Sequence, residues 1–168
     1  MNTEQQKIEY KSLQKIRTGE KGFKELSTTC VALANAQGGQ IMIGVEDKTK
    51  KPASNQVISQ EEANSAVTRL RGLCFNVGLA VGDVCADETG SQYFAITVFP
   101  SLHSYATTSN GKMYIRVADK CEPVRSEDIQ RVGEEKGAFQ WELVPTRFEL
   151  EDENKTNLSK FANDIRQS

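Results

Sequence analysis

Nine basic side chains stand where they could meet a phosphate: Lys11, Lys15, Arg17, Lys48, Lys50, Lys51, Lys112, Arg116 and Lys120. Ammonium and guanidinium groups neutralise phosphodiester oxygens, and this chemistry needs only a local cluster of cations on one face. Lys48, Lys50 and Lys51 crowd a single stretch, although such a run is more often only a solvated loop. Arg116 lies between the apolar Ile115 and Val117, so it leaves one face of a strand. From there it has two equal options, a phosphate or an ion pair with Glu9 or Asp47 across the sheet. Tyr10, Tyr93 and Tyr114 have ring faces that stack on bases where exposed, with core packing the better expectation for Tyr93 and Tyr114.

Other chemistries find little support. Cys30, Cys74, Cys85 and Cys121 are far apart, with no Cys-x-x-Cys pair and a single histidine, His103. Zinc sites and redox pairs need close ligands, so buried free thiols are expected. The segment Thr18-Gly19-Glu20-Lys21-Gly22 lacks the spacing of a phosphate-binding Walker loop. Net charge is −2 and the isoelectric point is about 5.6, which argues against a polybasic coat but allows a local basic surface. No apolar run has the length to cross a bilayer, and the polar first residues contain no signal-peptide core. A cytoplasmic protein is expected, with no membrane partner.

The candidate residues must be positioned by elements that the periodicity outlines. With 168 residues, 38% hydrophobic and 26% charged, the chain can bury one domain-sized core. Residues 7–11 alternate as a short edge strand. After a polar linker, residues 22–37 form a helix with Phe23, Leu26, Cys30 and Leu33 on one face, closed by Gly38-Gly39. Residues 40–46 read as a central strand, and 47–52 as a turn and loop. A second helix spans about 59–76, capped by Ser59 with Glu62 and burying Ala63, Ala66, Val67, Leu70, Leu73 and Cys74. Residues 79–86 and 92–99 form two strands joined by a turn at 87–91, and 112–117 form another after the turn Ser109-Asn110-Gly111. A short helix follows from Ser126 to about Val132. This order predicts an α+β (α/β-like) fold, a mixed β-sheet packed with helices. One domain is expected over residues 1–148. Residues 149–168 form a polar tail or terminal helix with Leu158, Phe161 and Ile165 on one side, or a linker to a further region.

Three segments, in this order and spacing, resemble the Schlafen AlbA-like domain, described as a DNA-binding domain of transcriptional regulators. They are Glu9-Tyr10-Lys11, the block from Val31 through Ala34-Asn35-Ala36 and Gly38-Gly39 to Gly44-Val45-Glu46-Asp47, and the strand Gly111–Val117 followed by Pro123-Val124 and Ser126-Glu127-Asp128-Ile129. The resemblance covers roughly residues 4–132. Read physically, Gly38-Gly39 permit a tight reversal onto the sheet, and Asn35 is suited to satisfying backbone groups there. Gly44 leaves a gap that a bulge, a helix or a ligand can approach.

The resemblance implies a domain that binds DNA or RNA, and the basic candidates above that would form its surface are Lys11, Lys48, Lys50, Lys51, Lys112, Arg116 and Lys120. It also brings an alternative, because some Schlafen proteins are endoribonucleases with three acidic residues, matched here by Glu4, Glu9 and Asp47. Converging carboxylates repel unless a cation joins them, so this nuclease would require Mg²⁺ or Mn²⁺. Most members with these motifs are described as binding DNA rather than cleaving it, so a non-catalytic role is expected. The acidic isoelectric point keeps a third role open, a protein-interaction module that assembles with partners or as a homo-oligomer.

Overall fold

The computed structural model describes residues 7–102, 104–125, 128 and 129. His103, most of the helix expected from Ser126 and the polar tail lie outside the described residues, as does Glu4. The first long apolar stripe winds into α2 (Glu20–Asn35), preceded by β1 (Ile8–Lys11) and a single-turn α1 (Gln14–Arg17) within the stretch expected to be a linker. There follow β2 (Gly39–Ile43), α3 (Gln60–Arg71), β3 (Cys74–Phe75), β4 (Gly78–Val81), β5 (Cys85–Ala86), β6 (Gln92–Phe99) and β7 (Thr107–Thr108). The hairpin of β8 (Tyr114–Val117) and β9 (Lys120–Pro123) completes the order.

The main sheet has the order β1-β2-β6-β4, with β5 also pairing β6. Strand β1 runs parallel to β2 through the helical crossover, and the other pairings are antiparallel. This is the mixed, helix-packed α+β sheet that the element order predicts. Register sorts the side chains by face. Glu9 pairs with Ile41 and Ile41 with Ile96, whereas Tyr10 pairs with Met42 and Met42 with Ala95. Side chains alternate along a strand, so Ile41, Ile43, Phe94, Ile96 and Val98 share one face. That face is fully buried in one core with Leu26, Cys30 and Leu33 of α2 and Ala63, Val67 and Leu70 of α3. The opposite face carries Tyr10, Met42, Tyr93 and Ala95, all half-buried.

Glycines permit the tight reversal before β2. A Cβ on Gly38, which has φ +73°, would lie 2.6 Å from the Val98 carbonyl, and one on Gly39 would lie 2.5 Å from the Lys7 carbonyl. Ser59 caps α3 as expected, its hydroxyl accepting the Glu62 N–H at 3.0 Å. Other boundaries move. Helix α3 stops at Arg71, because Cys74 and Phe75 pair with Thr108 and Thr107 and Asn76 turns to φ 58°. The expected strand at 79–86 is two short pieces on β6, β4 and β5. Strand β9 has no sequence signal: its tight turn places Ala118 at φ 55°, where glycine or asparagine is the usual marker.

Candidate nucleic-acid interface

Strand β1 sits at the sheet edge, and its alternation sends Glu9 to the helical side and Tyr10 to the open side. Against the helical side lies β8, anchored by the end of α2. There Asn35 donates its amide to the carbonyls of Ala106 at 2.8 Å and Tyr114 at 2.9 Å, and accepts the Ala106 N–H at 2.9 Å. Its backbone-satisfying role is therefore real, but the groups it serves are 71 and 79 residues away. So held, β8 delivers Arg116 to Glu9 at 2.6 Å, while Lys11 takes the other carboxylate oxygen at 2.6 Å. Arg116 also donates to the Cys121 sulfur at 3.6 Å. Its side chain is 7% exposed. Burial pulls its pKa down, but the hydrogen bond and charge of Glu9 outweigh this and leave it raised.

The 47–52 loop folds back beside the end of β1. The Lys50 N–H bonds the Glu46 carbonyl at 2.8 Å, and the Glu46 N–H bonds the Lys51 carbonyl at 3.0 Å. Lys50 has φ 54°. Its ammonium lies 2.6 Å from Asp47 and 4.1 Å from the centre of the Tyr10 ring. The Asp47 carboxyl is held below its ordinary range chiefly by the Lys50 hydrogen bond and charge, with a weaker pull from Lys11. Arg116, Glu9, Lys11, Asp47 and Lys50 thus alternate in sign around the end of β1. Arg116, Glu9 and Lys11 are in direct contact, as are Asp47 and Lys50, and the two groups feel each other through the charge of Lys11 on Asp47.

On the open side, Tyr10, Met42 and Tyr93 line a groove of about 640 Å³. Lys50 and Lys51 line it from the loop, and Asp87, Glu88 and Thr89 from the turn between β5 and β6. The groove is preformed because loop and turn are tied together. Gln56 donates to the carbonyls of Gly44 at 2.9 Å and Gln92 at 2.6 Å, and the Asn55 N–H reaches the Ser91 hydroxyl at 3.2 Å. Gly44, at φ +90°, makes room for this clamp, since a Cβ there would lie 2.5 Å from Gln56 Nε2. The turn is organised by Asp87, which accepts the Thr89 hydroxyl and the N–H groups of Thr89 and Ser91. Those bonds, led by the Thr89 hydroxyl, hold its carboxyl below the ordinary range.

The expected phosphate-binding set therefore divides. Lys48, Lys51, Lys112 and Lys120 are exposed and make no salt bridge among the described residues. Lys11 and Arg116 are committed to Glu9, Lys50 to Asp47, Lys15 to Glu25 and Arg17 to Glu62. Of the acidic trio, Glu9 and Asp47 are each held by their own cations, and Glu4 lies outside the described residues. Among the described residues no three His, Cys, Asp or Glu side chains gather as a metal site. Tyr93, expected in the core, instead lines the groove. Gln56 carries no sequence signal for the groove, and Asp87, Gly90 and Ser91 signal a turn there but not the groove that it walls.

A family model described as Schlafen, AlbA_2 matches residues 4–125. Among solved structures, the chain is similar to the DIP2311 protein from Corynebacterium diphtheriae, with 21% identity and a TM-score of 0.53. The match covers 73% of this chain and 26% of that one, so the two share a fold over about a quarter of the larger protein. No curated protein matches the sequence. No helix of the described residues is long and apolar enough to cross a membrane.

Proposed function

Because this chain belongs to the Schlafen AlbA_2 family, we propose that it is a DNA-directed nucleic-acid-binding domain acting through its phosphate-facing lysines. The observation that carries the reading is the division of the cations. Lys48, Lys51, Lys112 and Lys120 stand exposed without a salt bridge among the described residues, Lys48 and Lys51 in the 47–52 loop, Lys112 just before β8 and Lys120 on β9. Unpaired surface ammonium groups release counterions when they meet phosphate, whereas paired ones must first give up their acid. The net charge of −2 does not oppose this, since field at a surface depends on local placement.

The experiment is binding of labelled duplex and single-stranded DNA across a salt series in EDTA. Affinity should fall log-linearly with salt, by about 0.9 in slope per phosphate neutralised on duplex and about 0.7 on a single strand. Changing Lys48, Lys51, Lys112 and Lys120 together to alanine should flatten that slope and weaken binding. Unchanged affinity would place the interface elsewhere. Absence of binding at low salt would favour a protein-interaction module.

A further inference from the structure

We infer that the groove between the 47–52 loop and the Asp87–Ser91 turn is a site for one unpaired nucleotide of a single strand. This rests on the nucleic-acid reading above and names the form of ligand.

Three features of the groove carry it. First, the part of its lining on the sheet is aromatic and apolar: Tyr10, Met42 and Tyr93 lie on the face opposite the core. The Tyr10 ring already holds the Lys50 ammonium, so Tyr93 is the ring left to stack on a base, an interaction tolerant of sequence. Second, the walls differ in charge. Lys51, with Lys48 close by in sequence, offers ammonium groups to one phosphodiester backbone from the loop, while Asp87, whose carboxyl feels the Lys51 charge, and Glu88 line the groove from the turn. A second backbone, as in a duplex, would meet those carboxylates and be repelled. A base edge has amino and imino donors that suit Glu88, so the asymmetry matches a phosphate on one side and a base on the other. Third, about 640 Å³ falls within the usual range for small-ligand sites, roughly 300–1,000 Å³, and so admits a nucleotide but not a double helix. The clamp of Gln56 and the Asn55–Ser91 bond fix loop and turn before any ligand arrives. Binding therefore needs little ordering of the site.

The test compares a labelled single-stranded DNA oligonucleotide, the same sequence as a blunt duplex, the corresponding RNA and a free nucleoside monophosphate, all in EDTA at low salt. The single strands should bind at least about tenfold more tightly than the duplex, and Tyr93→Ala should weaken them about tenfold, the range of one lost base stack. Their salt slope should be kept by Tyr93→Ala but reduced by about 0.7 in Lys51→Ala, since only the lysine meets phosphate. Glu88→Lys, at an exposed position, should raise duplex affinity and narrow the preference. As a readout independent of folding of any variant, a strand carrying 5-iodouracil should photo-cross-link to the unmodified protein at Tyr93 or Tyr10. Single strands bound no better than duplex, or cross-links confined to other segments, would overturn the inference. If the lysine variants lose binding while Tyr93→Ala keeps it, phosphate binding stands and the base site falls. Affinity for the free monophosphate equal to that for the strand would assign the groove to a mononucleotide and refute the strand. If no nucleic acid binds at all, both readings fail together.

Discussion

Arg116 and Glu9, 107 residues apart in the chain, meet at 2.6 Å with only 7% and 18% of their side chains exposed. The pair joins β8 to the edge strand β1, two elements that share no strand pairing. Removing the guanidinium leaves Glu9 with Lys11 alone in a largely dehydrated place. Arg116→Ala should therefore destabilise the fold by about 2–3 kcal/mol, somewhat less than the 3–5 kcal/mol typical when a buried pair loses its sole partner. Urea unfolding measures this, and a change within about 0.5 kcal/mol, as for an ordinary surface substitution, would show the pair to be incidental.

Asn35 tests the other joint of the same hairpin. Its amide satisfies two carbonyls and one N–H across the α2 end. In Asn35→Asp a carboxylate can still accept the Ala106 N–H but cannot donate, and it turns its charge on the carbonyls of Ala106 and Tyr114. A loss of about 2–4 kcal/mol is expected, larger at neutral pH than at low pH where the acid is protonated. Thermal melts at both pH values check the magnitude and the sign.

Stability should also respond to acid through Glu62. The hydrogen bond and charge of Arg17, at 2.8 and 3.0 Å, hold its carboxyl below the ordinary 4.5 despite partial burial. A depressed folded-state pKa contributes stability above the unfolded value and loses it as pH falls through the folded one. Both side chains are substantially exposed, so the effect is at most about 1 kcal/mol. Urea midpoints for the parent and Glu62→Gln should differ at neutral pH and converge as the pH falls below the ordinary carboxylate range. A gap undiminished in acid would assign the difference to packing.

A divalent ion at Glu9 and Asp47 would have to displace Lys11 and Arg116 from one carboxylate and Lys50 from the other. Millimolar Mn²⁺ is thus expected to shift the melting temperature by on the order of 1 °C or less, as for a ligand without appreciable affinity for the folded state, and to leave labelled RNA intact. A rise of several degrees with RNA cleavage that vanishes in Asp47→Ala would instead establish the nuclease alternative.

The local elements were legible in the residues themselves. The stripe of Phe23, Leu26, Cys30 and Leu33 marked α2, the Gly38-Gly39 reversal marked the entry to β2, and Ser59 with Glu62 marked the start of α3, because each depends on neighbours a few residues away. The basic loop and Arg116's position on one strand face could be read in the same way. What the sequence left open was which cations are spent on acids and which remain for a ligand. Arg116 had equal claims on phosphate and carboxylate until the packing of β8 against α2 placed it beside Glu9. Tyr93 could sit in the core or outside it until β6 paired with β2 in the register that gave the core face to Phe94 and Ile96. Periodicity encodes which side of an element is buried, but strand order and register decide what lies opposite. Some charge partners are local, as for Lys11 with Glu9 and Lys50 with Asp47, but the pairing of Arg116 with Glu9 and of Arg17 with Glu62 exists only through that long-range packing.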